Sequence, residues 1–324
     1  MIPARIVASA VCALAVLLPN LGQAAPPAAS PKPDDGLIEE LVVTARYPGP
    51  AFWRVSDSDS EIWILATPNP TPKGLVWDKR QLEKVIQGAN AVILPSIVYV
   101  ELKEGLRFLI SNRKQFNNPD RKTLAEVLPQ SSIDNYLKID PAYRKANALK
   151  SKRKPALFAF ELRMDTQGKK GWSDSYTEKD IIALTRKYRV PVRRASVQRG
   201  IPIAEGIIGL NPEGQAVCFD AIVADIRHNL SHADEVAKAW ADGDTALMLS
   251  HASRTTQRRC VETSAQGQAA EAKVYADELN AVKQALAQPG KTLVVVTDTR
   301  ALVEKRGILA QLMAQGLTVR SPAE

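Results

Sequence analysis

The chain has 324 residues, of which 45% are hydrophobic and 24% are charged, and its formal net charge is +8. This composition is ordinary for a globular protein and excludes a chain that is disordered throughout. The densest basic run is the short segment 150–154 (KSKRK), which is typical of a solvated loop rather than of a nucleic-acid interface.

The N-terminal segment predicts export from the cytoplasm. Residues 1–5 carry one positive charge, residues 6–18 (IVASAVCALAVLL) carry none, and small residues follow up to Ala24. This is the pattern of a secretory signal peptide, and its apolar run is shorter than the roughly 20 residues of a membrane span. We therefore predict a signal peptide over 1–24 and a periplasmic or secreted protein with no membrane span and no nucleic-acid partner. Residues 25–50 are predicted to be a flexible linker.

The folded body is predicted to form one domain over residues 51–320. Two apolar and β-branched runs, 52–56 and 61–67, are separated by turn residues and predict a hairpin. A helix over 78–87 and a buried strand over 91–94 follow. The aromatic and apolar residues of these strands predict a sheet core that contains Trp53, Trp63 and Leu94.

The middle of the chain is predicted to be mostly helical, because apolar residues recur three or four positions apart. The predicted helices cover residues 101–115, 131–149, 178–188, 216–230, 233–241 and 268–287. Only two short strands, 156–160 and 190–193, are predicted between them.

The C-terminal part returns to the sheet. The continuous apolar run 292–297 (TLVVVT) is typical of a central parallel strand, and a helix over 302–314 and a strand over 317–320 follow it. The sequence thus predicts an α/β fold, with a mixed central sheet built from the N- and C-terminal segments and a largely helical middle region.

Two cysteines, Cys218 and Cys260, remain after removal of the signal peptide. An even pair in an oxidising compartment favours a disulfide, and two separate buried thiols are the alternative.

The two ends of the body resemble the TraB/GumN family. The resemblance is carried by residues 50–56 (PAFWRVS), 62–65 (IWIL) and 91–94 (AVIL) near the start and by 290–296 (GKTLVVV) near the end. It covers essentially all of residues 50 to 320. It implies an α/β fold similar to that of the Tiki proteases and of the erythromycin-esterase and ChaN groups.

This sequence lacks the metal-ligand residues that the resemblance implies. Active members are expected to hold a divalent metal through a His after the first sheet motif, a Glu after the next strand and a His after the C-terminal strand. Here Asn69, Pro95 and Arg300 stand at these positions. Asn offers only a weak carbonyl donor, Pro has no side-chain donor and Arg is a permanent cation. We therefore predict no catalytic residue, no metal and no cofactor.

A pocket is still predicted at the former family site. Asn69, Ser96, Asp298 and Arg300 follow the ends of neighbouring strands, where open α/β sheets bind ligands. Arg300 either holds a small anion there or pairs with Asp298 or faces solvent, and the sequence leaves these alternatives open.

A second place for a metal is suggested by the helix that carries His228 and His232, with Asp225 one turn earlier. That spacing is common by chance, and the sequence identifies no third strong ligand, so we predict no metal site there.

These observations favour an exported protein with a non-catalytic binding or assembly role, whose partner is an unidentified envelope component or a small anionic ligand. A metal-dependent, peptidase-like hydrolase with a rebuilt active site is the first alternative. The second is a partner of a TonB-type envelope system that uses residues 39–46 (EELVVTAR), although a bland linker is the simpler interpretation of that segment.

Overall fold

A computed structural model describes residues 38, 41–42, 49–251, 256–296, 299–305 and 307–322. The predicted signal peptide, most of the predicted linker and Asp298 lie outside these residues. Within the described part of the chain, no helix combines the length and the apolar character that a membrane crossing needs.

The described residues form ten strands and thirteen α-helices. The strands are β1 (Phe52–Ser56), β2 (Ser60–Ala66), β3 (Thr71–Pro72), β4 (Ala91–Leu94), β5 (Ile97–Tyr99), β6 (Trp172–Ser173), β7 (Val192–Arg194), β8 (Val197–Arg199), β9 (Gly290–Val296) and β10 (Thr318–Arg320). The helices are α1 (Arg80–Ile86), α2 (Leu102–Ser111), α3 (Leu124–Val127), α4 (Gln130–Leu137), α5 (Pro155–Lys170), α6 (Tyr176–Tyr188), α7 (Gly200–Ile208), α8 (Pro212–Ala241), α9 (Thr245–His251), α10 (Thr256–Val261), α11 (Ala265–Leu286), α12 (Thr299–Val303) and α13 (Ile308–Ala314).

The central sheet has six strands in the order β10-β1-β2-β9-β4-β7. The strands β2, β9, β4 and β7 are parallel to one another, whereas β1 is antiparallel to both β2 and β10. The sheet is therefore mixed and is built largely from the two ends of the folded body, which confirms the predicted fold class. The strands β3 and β6 form one two-stranded sheet and β5 and β8 form another.

The two faces of the sheet are covered by different helices. Alternate residues of β2, such as Ile62 and Ile64, lie in one core cluster with side chains of α11, α12 and α13. Leu65 faces the opposite side, where α1, α6 and the C-terminal end of α8 pack. The alternation follows from the two-residue period of a strand, and burial on both faces explains why β9 is a continuous apolar run.

The helical middle has its own core, centred on α5 and α8. Cys218 on α8 and Cys260 on α10 are fully buried in it, and their sulfurs lie at bonding distance with the Cα atoms 4.1 Å apart. The predicted cysteine pairing is therefore confirmed. The disulfide fastens α10 to the long helix α8.

Several predicted elements differ from the structure. The predicted strand over 156–160 is wrong, because these residues lie in α5, which begins with a proline at its first position, a place where proline favours helix initiation. The predicted helices 216–230 and 233–241 are one continuous helix, α8. The predicted helix 131–149 ends as an α-helix at Leu137, shortly before Pro141, and the predicted helix 302–314 is divided between α12 and α13.

The predicted core residues have unequal burial. Trp53 and Leu94 are 1% and 2% exposed, as expected for the sheet core. Trp63 is only partly buried, because its indole lies beside the Arg54 guanidinium and donates a hydrogen bond to Glu61 at 2.8 Å. Leu41, which precedes the predicted domain boundary, is also part of the core and is 4% exposed.

Candidate functional site

The carboxyl ends of the parallel strands β2, β9 and β4 lie at one edge of the sheet. Ala66 at the end of β2 is paired with Val296 at the end of β9, and Ile93 of β4 is paired with Val294. The family resemblance implies metal ligands at three positions, and all three follow these strand ends. Asn69 comes three residues after β2, Pro95 directly after β4 and Arg300 four residues after β9.

Backbone and indole contacts hold the strand ends in place. The Thr67 amide donates to the Val296 carbonyl at 2.9 Å, which extends the pairing of β2 and β9 beyond the strands. The Trp240 indole donates to the Ala66 carbonyl at 2.5 Å, and its ring meets the Trp77 ring edge-on with centroids 4.9 Å apart. This buried tryptophan belongs to the segment 239–244 (AWADGD) that ends α8.

The predicted pocket residues have different local partners. Asn69 is exposed, whereas Pro95 is buried. The Ser96 amide faces the Glu278 carboxylate of α11 at 3.4 Å, and its hydroxyl is buried without a hydrogen-bond partner among the described residues. The half-buried Arg300 guanidinium donates to the Leu249 carbonyl of α9 at 3.4 Å. Asp298 lies outside the described residues, so the structure gives no geometry for an Arg300–Asp298 pair.

The chemistry of these edge positions suits an anion better than a cation. A metal needs lone pairs from imidazoles or carboxylates, and Asn69, Pro95 and Arg300 supply neither. Arg300 also places a fixed positive charge at this end of β9.

All three histidines of the chain lie in one cluster on α8 and α9. His228 and His232 are on α8, and His251 is the last residue of α9. The rings of His228 and His232 have centroids 4.8 Å apart, and those of His232 and His251 are stacked with centroids 4.5 Å apart. The His228 Nε2 atom is also hydrogen-bonded to the His251 carbonyl. The turn from α8 into α9 therefore brings the imidazole of His251 onto that of His232.

A carboxylate completes this cluster. Glu235 lies one turn after His232 on α8, and its Oε2 atom is 3.8 Å from His232 Nδ1 and 3.4 Å from His251 Nε2. Asp225, the carboxylate that sequence analysis placed near the histidines, instead faces Arg163 at 3.7 Å and accepts a hydrogen bond from Asn229. We refer to His228, His232, Glu235 and His251 as the histidine cluster.

A surface cleft of about 540 Å³ lies beside the histidine cluster. His228 and His232 line it, together with the charged residues Lys138, Asp140 and Arg227. The cleft gives small ligands access to one side of the cluster.

A third feature is an exposed apolar surface on α2 and β5. The helix α2 buries none of its residues. The exposed aliphatic residues of these two elements are Val98 (59% exposed), Leu102 (88%), Leu106 (58%), Leu109 (55%) and Ile110 (64%). We call these five residues the α2 surface. Exposed apolar side chains that adjoin one another typically mark a binding surface.

Comparison with known proteins gives one positive result. The sequence model of the TraB/PrgY/gumN family matches residues 51–321, which is most of the chain. The search of curated proteins found no match, and the search of solved structures found none either.

Proposed function

The chain belongs to the TraB/PrgY/gumN family, and we propose that it is an exported, non-catalytic binding protein of the cell envelope. The observation that carries this proposal is the residue set after β2, β4 and β9. At the positions where the resemblance expects His, Glu and His, this chain has Asn69, Pro95 and Arg300. Three missing donors leave too few ligands for a catalytic metal, which needs about three from the protein.

The α2 surface supports a binding role and suggests the partner. Leu102, Leu106 and Leu109 recur at helical spacing, so they form one exposed apolar stripe on α2. Lys103 and Arg107 are exposed on the same helix. An apolar stripe beside cationic side chains is the pattern of a helix that lies in the interface of an anionic membrane. We therefore propose an anionic lipid surface as the envelope component that this protein binds.

The experiment is vesicle co-sedimentation with protein recovered after export from an expressing bacterium. N-terminal sequencing of that protein tests the predicted cleavage after Ala24. We expect binding to vesicles rich in phosphatidylglycerol and weaker binding to purely zwitterionic vesicles, because the cations near the stripe are attracted only to negative headgroups.

The variant Leu106→Asp/Leu109→Asp should lose at least about tenfold in vesicle affinity, because two charges would enter the apolar stripe. Leu137→Asp is the matched control, since Leu137 is 47% exposed on α4 and lies outside the α2 surface. Binding that is unchanged in the double variant would exclude the α2 surface as the membrane contact. A dimer in ultracentrifugation that the same variant dissociates would identify a second copy as the partner instead.

A metal-dependent hydrolase with a rebuilt active site is the second candidate, and one observation favours it. The histidine cluster supplies imidazoles and a carboxylate beside an open cleft. Asn69, Pro95 and Arg300 at the strand ends supply neither kind of metal donor. A broad peptidase screen with and without added zinc tests it, with His232→Ala as the inactive control. Zinc-dependent cleavage that this variant abolishes would replace the non-catalytic proposal.

A further inference from the structure

The geometry points to a transition-metal site in the histidine cluster, with His232, Glu235 and His251 as the ligands of a zinc-class divalent ion. One ligand atom from each of these residues lies within 4.8 Å of the other two. Imidazole nitrogens combined with a carboxylate oxygen are the donors that zinc takes in proteins. The site is distinct from the strand-end positions, because its residues lie on α8 and α9 rather than after β2, β4 or β9.

An unpartnered nitrogen supports this assignment. The Nδ1 atom of His232 is buried and makes no hydrogen bond among the described residues. The nearest acceptor in its ion pair, Glu235 Oε2, is 3.8 Å away, which is too far for a hydrogen bond. A buried nitrogen without a partner costs free energy, and a metal ion would satisfy it.

The three ligand atoms, which lie within 4.8 Å of one another, must move closer together to share one ion. Ligand atoms of a tetrahedral zinc site lie about 3.3 Å apart, given zinc–nitrogen bonds of about 2.0–2.1 Å. The Glu235–His251 distance of 3.4 Å already matches this spacing. The His232 and Glu235 side chains are 35% and 51% exposed, so both have room to rotate toward a shared ion.

His228 acts as a positioning residue in this arrangement. Its Nε2 atom is hydrogen-bonded to the His251 carbonyl, and its ring packs on the ring of His232. It thus contacts the imidazole of one ligand residue and the backbone of the other. Groups that orient metal ligands in this way typically contribute about 10- to 100-fold to metal affinity.

The fourth coordination position would be supplied from the cleft. His232 lines the cleft of about 540 Å³, so water or a small ligand can reach the ion from that side. Three protein donors and one open position are the ligand count of a zinc site that exchanges ligands, rather than of a closed structural site.

The test is zinc titration by calorimetry of the full chain, expressed without a histidine tag and stripped with a chelator. We expect one equivalent of zinc per chain and a zinc-dependent rise of the melting temperature, because an ion that binds only the folded state stabilises it. His232→Ala and His251→Ala should each weaken zinc binding by more than about 100-fold, and His228→Ala by about 10- to 100-fold.

Glu235→Gln keeps the test decisive if a histidine variant fails to fold, because the Glu235 side chain is half exposed. It should weaken zinc binding at least about tenfold, since a neutral amide replaces a charged donor. Glu213→Gln is the matched control, because Glu213 is exposed on the first turn of the same helix. The absence of stoichiometric zinc binding, or wild-type affinity in His232→Ala and Glu235→Gln, would overturn the proposal. Neither result depends on membrane binding.

Discussion

The indole nitrogen of Trp53 donates a hydrogen bond to the backbone carbonyl of Leu41 at 3.0 Å. Trp53 lies on β1 and Leu41 lies ten residues before the predicted start of the domain. Both side chains are buried in the same core cluster. A segment that precedes the strands therefore covers part of the sheet core.

Replacement of Trp53 should strongly destabilise the protein. Trp53→Ala removes a side chain that is 1% exposed and leaves the Leu41 carbonyl without its donor, so we expect a loss of about 3–5 kcal/mol in the free energy of unfolding. Trp63→Ala is the natural comparison. Because Trp63 is only partly buried, it should cost clearly less in the same chemical denaturation experiment. Equal losses would contradict the different burial of the two residues.

Reduction of the disulfide should lower stability. The bond between Cys218 and Cys260 closes a sequence separation of 42 residues, for which the chain-entropy model gives about 4 kcal/mol. We expect the melting temperature to fall by several degrees in reductant. Titration of free thiols in the unfolded, unreduced protein provides the check. Two reactive thiols would show that the pair is not oxidised in the purified protein.

Gly290 and Gly316 provide a matched pair for a backbone test. Both have a positive φ, +108° at Gly290 and +81° at Gly316. A Cβ atom at Gly290 would lie 2.6 Å from the side-chain Nδ2 atom of Asn90, which donates a hydrogen bond to the Pro289 carbonyl, whereas one at Gly316 would meet nothing within 4 Å. We expect Gly290→Ala to cost about 2–3 kcal/mol and Gly316→Ala about 1 kcal/mol, because only the first adds a clash to the backbone strain. A larger loss for Gly316→Ala in denaturant unfolding would contradict this assignment.

The strand-end residues should not contribute to metal affinity. In zinc, cobalt and manganese titrations, Asn69→Ala and Arg300→Ala should leave any measured affinity unchanged, because neither side chain is a metal donor. Arg300→His alone should not create a site, since the other two positions would still lack a donor. A divalent-metal affinity that is lost in Asn69→Ala would instead indicate an active centre at the sheet edge.

The Asp277 carboxylate should make a small contribution to stability that depends on pH. It lies 2.7 Å from Lys273 Nζ and accepts a hydrogen bond from Gln198 of β8 at 3.1 Å. Hydrogen bonds from Lys273 and Ser196 lower the pKa of Asp277 below its ordinary value. A carboxylate whose folded pKa is lowered stabilises the protein above its unfolded pKa, and this stabilisation is lost as the pH falls through the folded pKa.

Asp277→Asn should therefore reduce stability by roughly 0.3–0.5 kcal/mol at neutral pH, the range typical of a solvent-screened pair. The difference from wild type should shrink below about pH 4, where the carboxyl group becomes protonated. Denaturant melts at several pH values measure both effects. A difference that stays constant down to pH 2 would assign the loss to packing rather than to the carboxylate charge.

The sequence predicted the sheet better than the sites. The continuous apolar run over 292–297 identified β9 because a strand buried on both faces carries apolar residues at every position. The two-residue strands β3 and β6 carry no periodic signal, so they were missed. The helix α8 was predicted as two pieces, because the polar segment around Ser231 interrupts the apolar period although the backbone continues as a helix.

The histidine cluster could be predicted only in part. The spacing of His228 and His232 was visible, but Glu235 and His251 were not recognised as their neighbours. His251 reaches His232 because Gly243, with a positive φ, ends α8 in a tight turn and α9 returns alongside it. The sequence carried one sign of this cluster. All three histidines fall within the 24 residues 228–251, which also contain the AWADGD segment.

The position of β9 at the centre of the sheet determines the order in which this protein can assemble. β9 lies between β2 and β4, yet it is the ninth of the ten described strands in chain order. During synthesis, β2 and β4 are made early and have no central partner until residue 290 appears. Their unpaired edges are exposed during that interval, and such edges favour aggregation. The sheet therefore cannot close until the chain has been made as far as β9, Gly290–Val296.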